Sequence, residues 1–174
     1  MRRLNNLAFR VVRAAIIGIV LGATLNGCTH QFIRIDFHHE KSDPELVEMV
    51  DTINRFTEGR MHMNTEVNRI GFKENDQMKE SDDKIIAGTC NYVLPASYEI
   101  DINRDTWKKS SYLSKLLLVA HEMYHCVCKN LIHNDSEDLI GCPQSYFHPS
   151  MPPVVCLQHN YERYLKQVEQ GCEL

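Results

Sequence analysis

The chain has 174 residues, 43% hydrophobic and 24% charged, with a formal net charge of -4 at pH 7. No basic patch interleaved with aromatics occurs, so this acidic chain is a poor nucleic-acid binder.

The first segment reads as an export signal. Arg2, Arg3, Arg10 and Arg13 form a basic region, and the apolar stretch from Ala14 to Leu25 is too short for a secure membrane span. Leu25-Asn26-Gly27-Cys28 resembles the lipobox of bacterial lipoproteins, which implies cleavage before Cys28 and acylation of that cysteine. Residues 1–27 are then the signal peptide. Residues 28–174 form a single domain of 147 residues, long enough for a real hydrophobic core. Losing four arginines shifts the net charge from -4 to -8. Thr29 is not the acidic residue that often signals inner-membrane retention, which points to the outer membrane of a bacterial envelope.

Gln31 to Phe37 reads as a strand. Ser42 is placed to cap a helix, with Pro44 in its first turn and Glu45 closing a capping box. Leu46, Met49, Val50, Ile53 and Phe56 continue at helical spacing, and Gly59 can end the helix. Val67 to Phe72 and Lys84 to Thr89 predict short strands, with Lys73 to Asp83 as a loop between them. Tyr98, Ile100 and Ile102 alternate with Glu99, Asp101 and Asn103, the pattern of a half-buried strand. A helix is expected over about 111–129, an irregular segment over 130–155, and a polar helix from Leu157 to Gln170. This order predicts an α+β fold with a mixed sheet.

Within the helix near 111–129, Leu113, Leu116, Leu117 and Ala120 form a core-facing stripe. His121-Glu122-Met123-Tyr124-His125 follows, an H-E-x-x-H match. Residues four apart share a helix face, so both imidazoles can reach one Zn²⁺ at about 2.0–2.1 Å. Glu122 is then free to take a proton from a water on the metal. Histidines at the end of a buried helix need partners, and a metal supplies one. A catalytic zinc site normally has three protein ligands and an open position. His133 is the nearest downstream imidazole, and His148 and His159 lie further on. Asp135 is a fallback, and Glu162 on the last helix would be the ligand in a gluzincin-like site.

The motif, His133 and Pro149-Ser150-Met151-Pro152 together resemble the metzincin clan of zinc metalloproteases, specifically small exported bacterial zincin-like proteins. The resemblance implies His121, His125 and His133 as zinc ligands, Glu122 as general base and Met151 as the Met-turn residue. It also implies a zincin-like twisted mixed sheet packed by the active-site helix and a second helix. Two departures stand out. Cys128 occupies the position of the family's glycine, and seven residues separate His125 from His133 where the family has five. Asn130 can turn the chain in place of the glycine, because Asn tolerates the left-handed conformation.

Besides Cys28, six cysteines remain: Cys90, Cys126, Cys128, Cys142, Cys156 and Cys172. In an oxidising compartment an even number suggests up to three disulfides supporting the C-terminal region, out of about 15 possible pairings. A thiolate metal site at Cys126 and Cys128 is the alternative, although C-x-C differs from the usual spacing. The function expected is zinc-dependent peptide-bond hydrolysis by a protein tethered to a bacterial membrane. Peptides or proteins are its substrates, lying antiparallel along an edge strand. Tyr124, Tyr146 and Tyr161 are candidates for stabilising the transition state. The alternatives are an envelope lipoprotein whose zinc is structural and closed by His148, and a phage- or plasmid-encoded lipoprotein with a decayed motif.

Overall fold

A computed structural model describes residues 39–63, 67–81, 84–93 and 97–173. The expected signal, Cys28 and the strand from Gln31 to Phe37 lie outside them.

Helix α1, Pro44–Phe56, buries Leu46, Met49, Val50 and Ile53, the spacing the sequence offers. Its N-cap is Asp43, whose carboxylate accepts from the Glu45 N–H at 3.2 Å. Ser42, expected in that role, instead accepts from the Ile70 N–H at 3.1 Å and ties the helix start to the sheet. One residue's shift follows from this tertiary bond. After the C-cap Thr57, Glu58 and Gly59 both take positive φ, 51° and 82°, and the chain turns away.

Strands β1 (Val67–Lys73), β4 (Gly88–Val93) and β5 (Ser97–Asn103) form a mixed sheet in the order β1-β5-β4. β5 is parallel to β1 and antiparallel to β4. The expected strand from Lys84 to Thr89 breaks in two. β3 (Lys84–Ile85) pairs with β2 (Lys79–Ser81), inside the expected loop, whereas β4 pairs with β5. The break falls where the chain changes partners: the Ile86 N–H donates to Met78 and the Ala87 carbonyl accepts from Asn103.

β5 is buried on both faces. Ile100 and Ile102 face the core, while Asp101 on the opposite face is 1% exposed. Three donors compensate its burial: Arg69 at 2.9 Å, Lys73 at 2.6 Å and Asn91 at 2.8 Å. Asn103 caps a helix the sequence did not suggest, α2 (Arg104–Lys109), by accepting from the Thr106 N–H at 2.8 Å. α2 buries Trp107, whose indole N–H donates to Glu45 of α1 at 2.6 Å.

α3, Tyr112–Cys128, is the central helix. Ser111 caps it by accepting from the Ser114 N–H at 3.2 Å. Every residue from Leu116 to Cys126 is buried, so the helix is enclosed rather than amphipathic. It packs on β4, β5 and α1. Lys129 ends it in the left-handed conformation (φ 57°, ψ 28°), the role expected of Asn130. The expected single last helix is two, α4 (Val154–His159) and α5 (Tyr161–Gln170), separated at Asn160. The Asn160 amide donates to Asp138, drawing the break toward the irregular segment.

Three disulfides connect these parts: Cys90–Cys126, Cys128–Cys172 and Cys142–Cys156. They pair all six cysteines left after Cys28, and they exclude a thiolate site at Cys126 and Cys128. The architecture is the expected α+β, with a mixed sheet, packed helices and a disulfide-supported C-terminal region. No helix among the described residues is long and apolar enough to cross a membrane.

Candidate metal centre

The last two turns of α3 present His121, Glu122 and His125, all buried. The irregular segment after the helix returns His133 to them. The three Nε2 atoms form a triangle: 2.9 Å between His121 and His125, 3.2 Å between His125 and His133, and 3.3 Å between His133 and His121.

The outer nitrogens fix the tautomers of two rings. His121 Nδ1–H donates to the Tyr146 carbonyl at 2.9 Å, and His125 Nδ1–H donates to the Asn130 carbonyl at 2.5 Å. A neutral imidazole has one N–H, so the Nε2 atoms of both rings are bare lone pairs. Two lone pairs 2.9 Å apart repel, and the single proton of His133 cannot bridge both. A cation removes the conflict. Tetrahedral ligation at about 2.0–2.1 Å separates imidazole nitrogens by about 3.3 Å, close to what the triangle shows. The residues therefore fit zinc by donor type, tautomer and spacing. Carbonyls bonded to the outer nitrogens are the usual means of orienting histidine ligands.

The surroundings favour neutral imidazoles, the ligand form. Burial pulls His121 down to about 4 from its ordinary 6.5, opposed by the Tyr146 carbonyl and assisted by charge on His125, His133 and His148. His133, more exposed, is also lowered, first by desolvation and then by His125. Glu122 moves the other way, raised to about 8 by burial. Its carboxylate lies against Gly88 of β4. A Cβ on Gly88 would sit 2.7 Å from Glu122 Oε1 and 2.8 Å from its Cγ. The absence of a side chain there leaves room for the carboxylate.

Among the described residues, the cluster of candidate ligand atoms comprises His121, His125 and His133. The other candidates stand apart. His148 Nδ1 accepts from the Ser150 N–H, its ring also bonding the Ser150 hydroxyl at 2.9 Å. His159 ends α4, Asp135 is in the exposed loop, and Glu162 is on the exposed first turn of α5. Met151 is half-buried and packs against the core. Of the tyrosines, Tyr161 is exposed on α5. The Tyr124 hydroxyl accepts from the Asn130 side chain at 2.9 Å. The Tyr146 hydroxyl is buried without a hydrogen-bond partner.

Sequence reasoning missed the two carbonyls that orient His121 and His125, since backbone acceptors carry no residue signature. It also missed Gly88. The Tyr146-Phe147 pair offered a signal: they are the two aromatics of the irregular segment, and they are buried where Leu131, Ile132, Leu139 and Ile140 are exposed. Phe147 packs against Tyr124 at a tilt of 38°, with ring centroids 3.7 Å apart.

Two imidazoles and a buried glutamate on a helix packed over a mixed sheet, joined by a third imidazole from the following segment, form a group that could hold a metal ion. The chain belongs to a phage metallopeptidase family, whose model, described as "Putative phage metallopeptidase", matches residues 37–170. That match covers the sheet, the motif helix, the irregular segment and both last helices. No curated protein and no solved structure matched the chain.

Proposed function

We propose that the chain is a zinc-dependent peptidase in which His121, His125 and His133 hold the metal and Glu122 is the general base. The observation that carries this reading is the triangle of Nε2 atoms, two of them bare because carbonyls fix the proton on Nδ1 of His121 and His125. When bound, zinc supplies Lewis acidity, polarising a scissile carbonyl and lowering the pKa of water toward about 7. Three protein ligands leave the open position that catalysis needs, which favours a catalytic over a closed structural site.

Glu122 takes a proton from the attacking water onto a carboxylate oxygen and passes it to the leaving amine. A base must start ionised. The burial that raises Glu122 to about 8 is opposed by a cation at the neighbouring imidazoles. The two influences act in opposite directions on the carboxylate, one favouring uptake of the proton and the other its release. β4 lies at the edge of its sheet, and its Gly88 touches Glu122. A peptide added along that edge brings its backbone beside the carboxylate. Met151, packed on the core after the His133 loop, is assigned the Met-turn role.

We place the protein on a bacterial membrane through acylated Cys28. Three disulfides support an oxidising compartment. The test of the catalytic reading is Glu122→Gln with zinc analysis and a broad quenched-peptide library. Zinc near one equivalent with proteolysis lost is expected. Activity within a few-fold of the parent protein rejects the role of Glu122.

A further inference from the structure

The segment carrying His133 has little apolar burial to hold it. Leu131 and Ile132 are 72% and 79% exposed, and His133 itself is exposed. Its placement must come from polar contacts. Three of them converge on Asn130. Its carbonyl receives the His125 Nδ1–H at 2.5 Å. Its side-chain oxygen accepts from the Ile132 N–H at 3.0 Å, an Asx-turn that sets the chain's direction one residue before His133. Its side-chain NH₂ donates to the Tyr124 hydroxyl at 2.9 Å. The far end of the segment is held separately, by the Asn134 N–H donating to the Phe147 carbonyl at 3.1 Å. Tyr124 packs against that same Phe147, so both ends of the loop are referred to one aromatic pair, Tyr124 on the motif helix and Phe147 in the irregular segment.

We infer that Asn130 is a positioning residue: through its Asx-turn and its bond to Tyr124 it delivers His133 to His121 and His125. This inference rests on the metal site proposed above. Lys129 makes the left-handed turn out of the helix, and Asn130 supplies the directional bonds that convert that turn into a ligand placement. The largely exposed stretch from Lys129 to Ile132, which joins the helix end to His133, needs such a device, because an unfixed loop spends entropy whenever the ligand is engaged.

The test is zinc affinity of the full-length chain, measured by competition with a chromophoric chelator, for Asn130→Ala, Asn130→Asp, Tyr124→Phe, His133→Ala and the Asn130→Ala/His133→Ala double variant. Asn130→Ala should bind zinc about 10–100-fold more weakly, the usual cost of losing a ligand's supporting partner. Asn130→Asp keeps an acceptor for Ile132 and a partner for the Tyr124 hydroxyl, and should recover most of the affinity. Tyr124→Phe keeps the ring on Phe147 and loses only the hydroxyl, so it should show part of the loss even if Asn130→Ala folds poorly. Because Asn130 acts through His133, the double variant should bind no more weakly than His133→Ala alone. Asn130→Ala and Tyr124→Phe both within about two-fold of the parent overturn the inference, as do fully independent losses in the double variant. If His133→Ala itself leaves zinc affinity intact, the metal-site reading fails and takes this one with it.

Discussion

Gly88→Ala is the sharpest probe of how Glu122 is held. The added methyl carbon would lie 2.7 Å from Oε1, 2.8 Å from Cγ and 2.9 Å from Cδ of Glu122. Ordinary contacts begin near 3.4 Å, so the carboxylate must retreat by about 0.5–1 Å, or β4 must yield. Neither is free. Glu122 is 4% exposed, and β4 is pinned by pairing with β5 and by the Cys90–Cys126 disulfide. Overpacking of this kind costs about 1–3 kcal/mol of stability. A misplacement of about 1 Å in a catalytic group can cost about 100-fold in rate. The expected result is about 100-fold lower kcat on a quenched-peptide library, with zinc content unchanged because the three atoms nearest the added carbon all belong to Glu122. Combining Gly88→Ala with Glu122→Ala removes the Cγ, Cδ and Oε1 atoms that the methyl would meet, and should restore Tm but not activity. Full activity in Gly88→Ala with unchanged Tm would refute the packing argument.

Other outcomes follow from the same geometry. The fold favours neutral His121, lowered to about 4 by burial, so the unfolded chain binds more protons between about pH 6.5 and 4. Glu122, raised to about 8 by burial, acts in the opposite direction between about pH 8 and 4.5. The His121 share, on the order of 3 kcal/mol, is therefore read as a difference: in urea melts of the metal-stripped proteins, the parent should lose stability relative to His121→Phe as pH drops from about 6.5 to 4. Replacing Cys128 and Cys172 with Ser opens a cross-link spanning 44 residues and should cost about 4 kcal/mol, seen as a lower midpoint in guanidinium. Cys28→Ala should abolish incorporation of a clickable fatty acid, and unchanged labelling would remove the lipid-anchor reading.

The elements with strong periodic patterns were legible. α1 and α3 carry apolar residues at helical spacing, and β5 alternates, so each emerges within a residue or two of its expected ends. The cap moved from Ser42 to Asp43 because Ser42 is claimed by a strand, a partner that no local pattern announces. The Lys84 to Thr89 stretch split because one continuous apolar run can serve two ladders, and only the third dimension assigns them. The two imidazoles of the motif were legible from spacing alone. His133 was reachable by proximity and by resemblance, though the mechanism of its arrival was not. The left-handed residue is Lys129, with no compositional preference for that conformation, and the bonds that make it work come from the next side chain.

The disulfides also bear on metal choice. In the reduced chain, Cys126 and Cys128 stand one and three residues past His125 as free thiols. Thiolates outcompete carboxylates and rival imidazoles for soft, thiophilic ions such as Cu(I). On the metal site proposed above, such thiols would compete for the ion before the cross-links close. Closing Cys126 onto Cys90 and Cys128 onto Cys172 withdraws both sulfurs and leaves an all-nitrogen set. Cross-linking before loading would then leave the ion to the imidazoles alone, so the metal carried at the proposed site should depend on the order of the two events. Chains loaded with equimolar copper and zinc before and after oxidation should differ in the metal they carry, and identical metal content would end the argument.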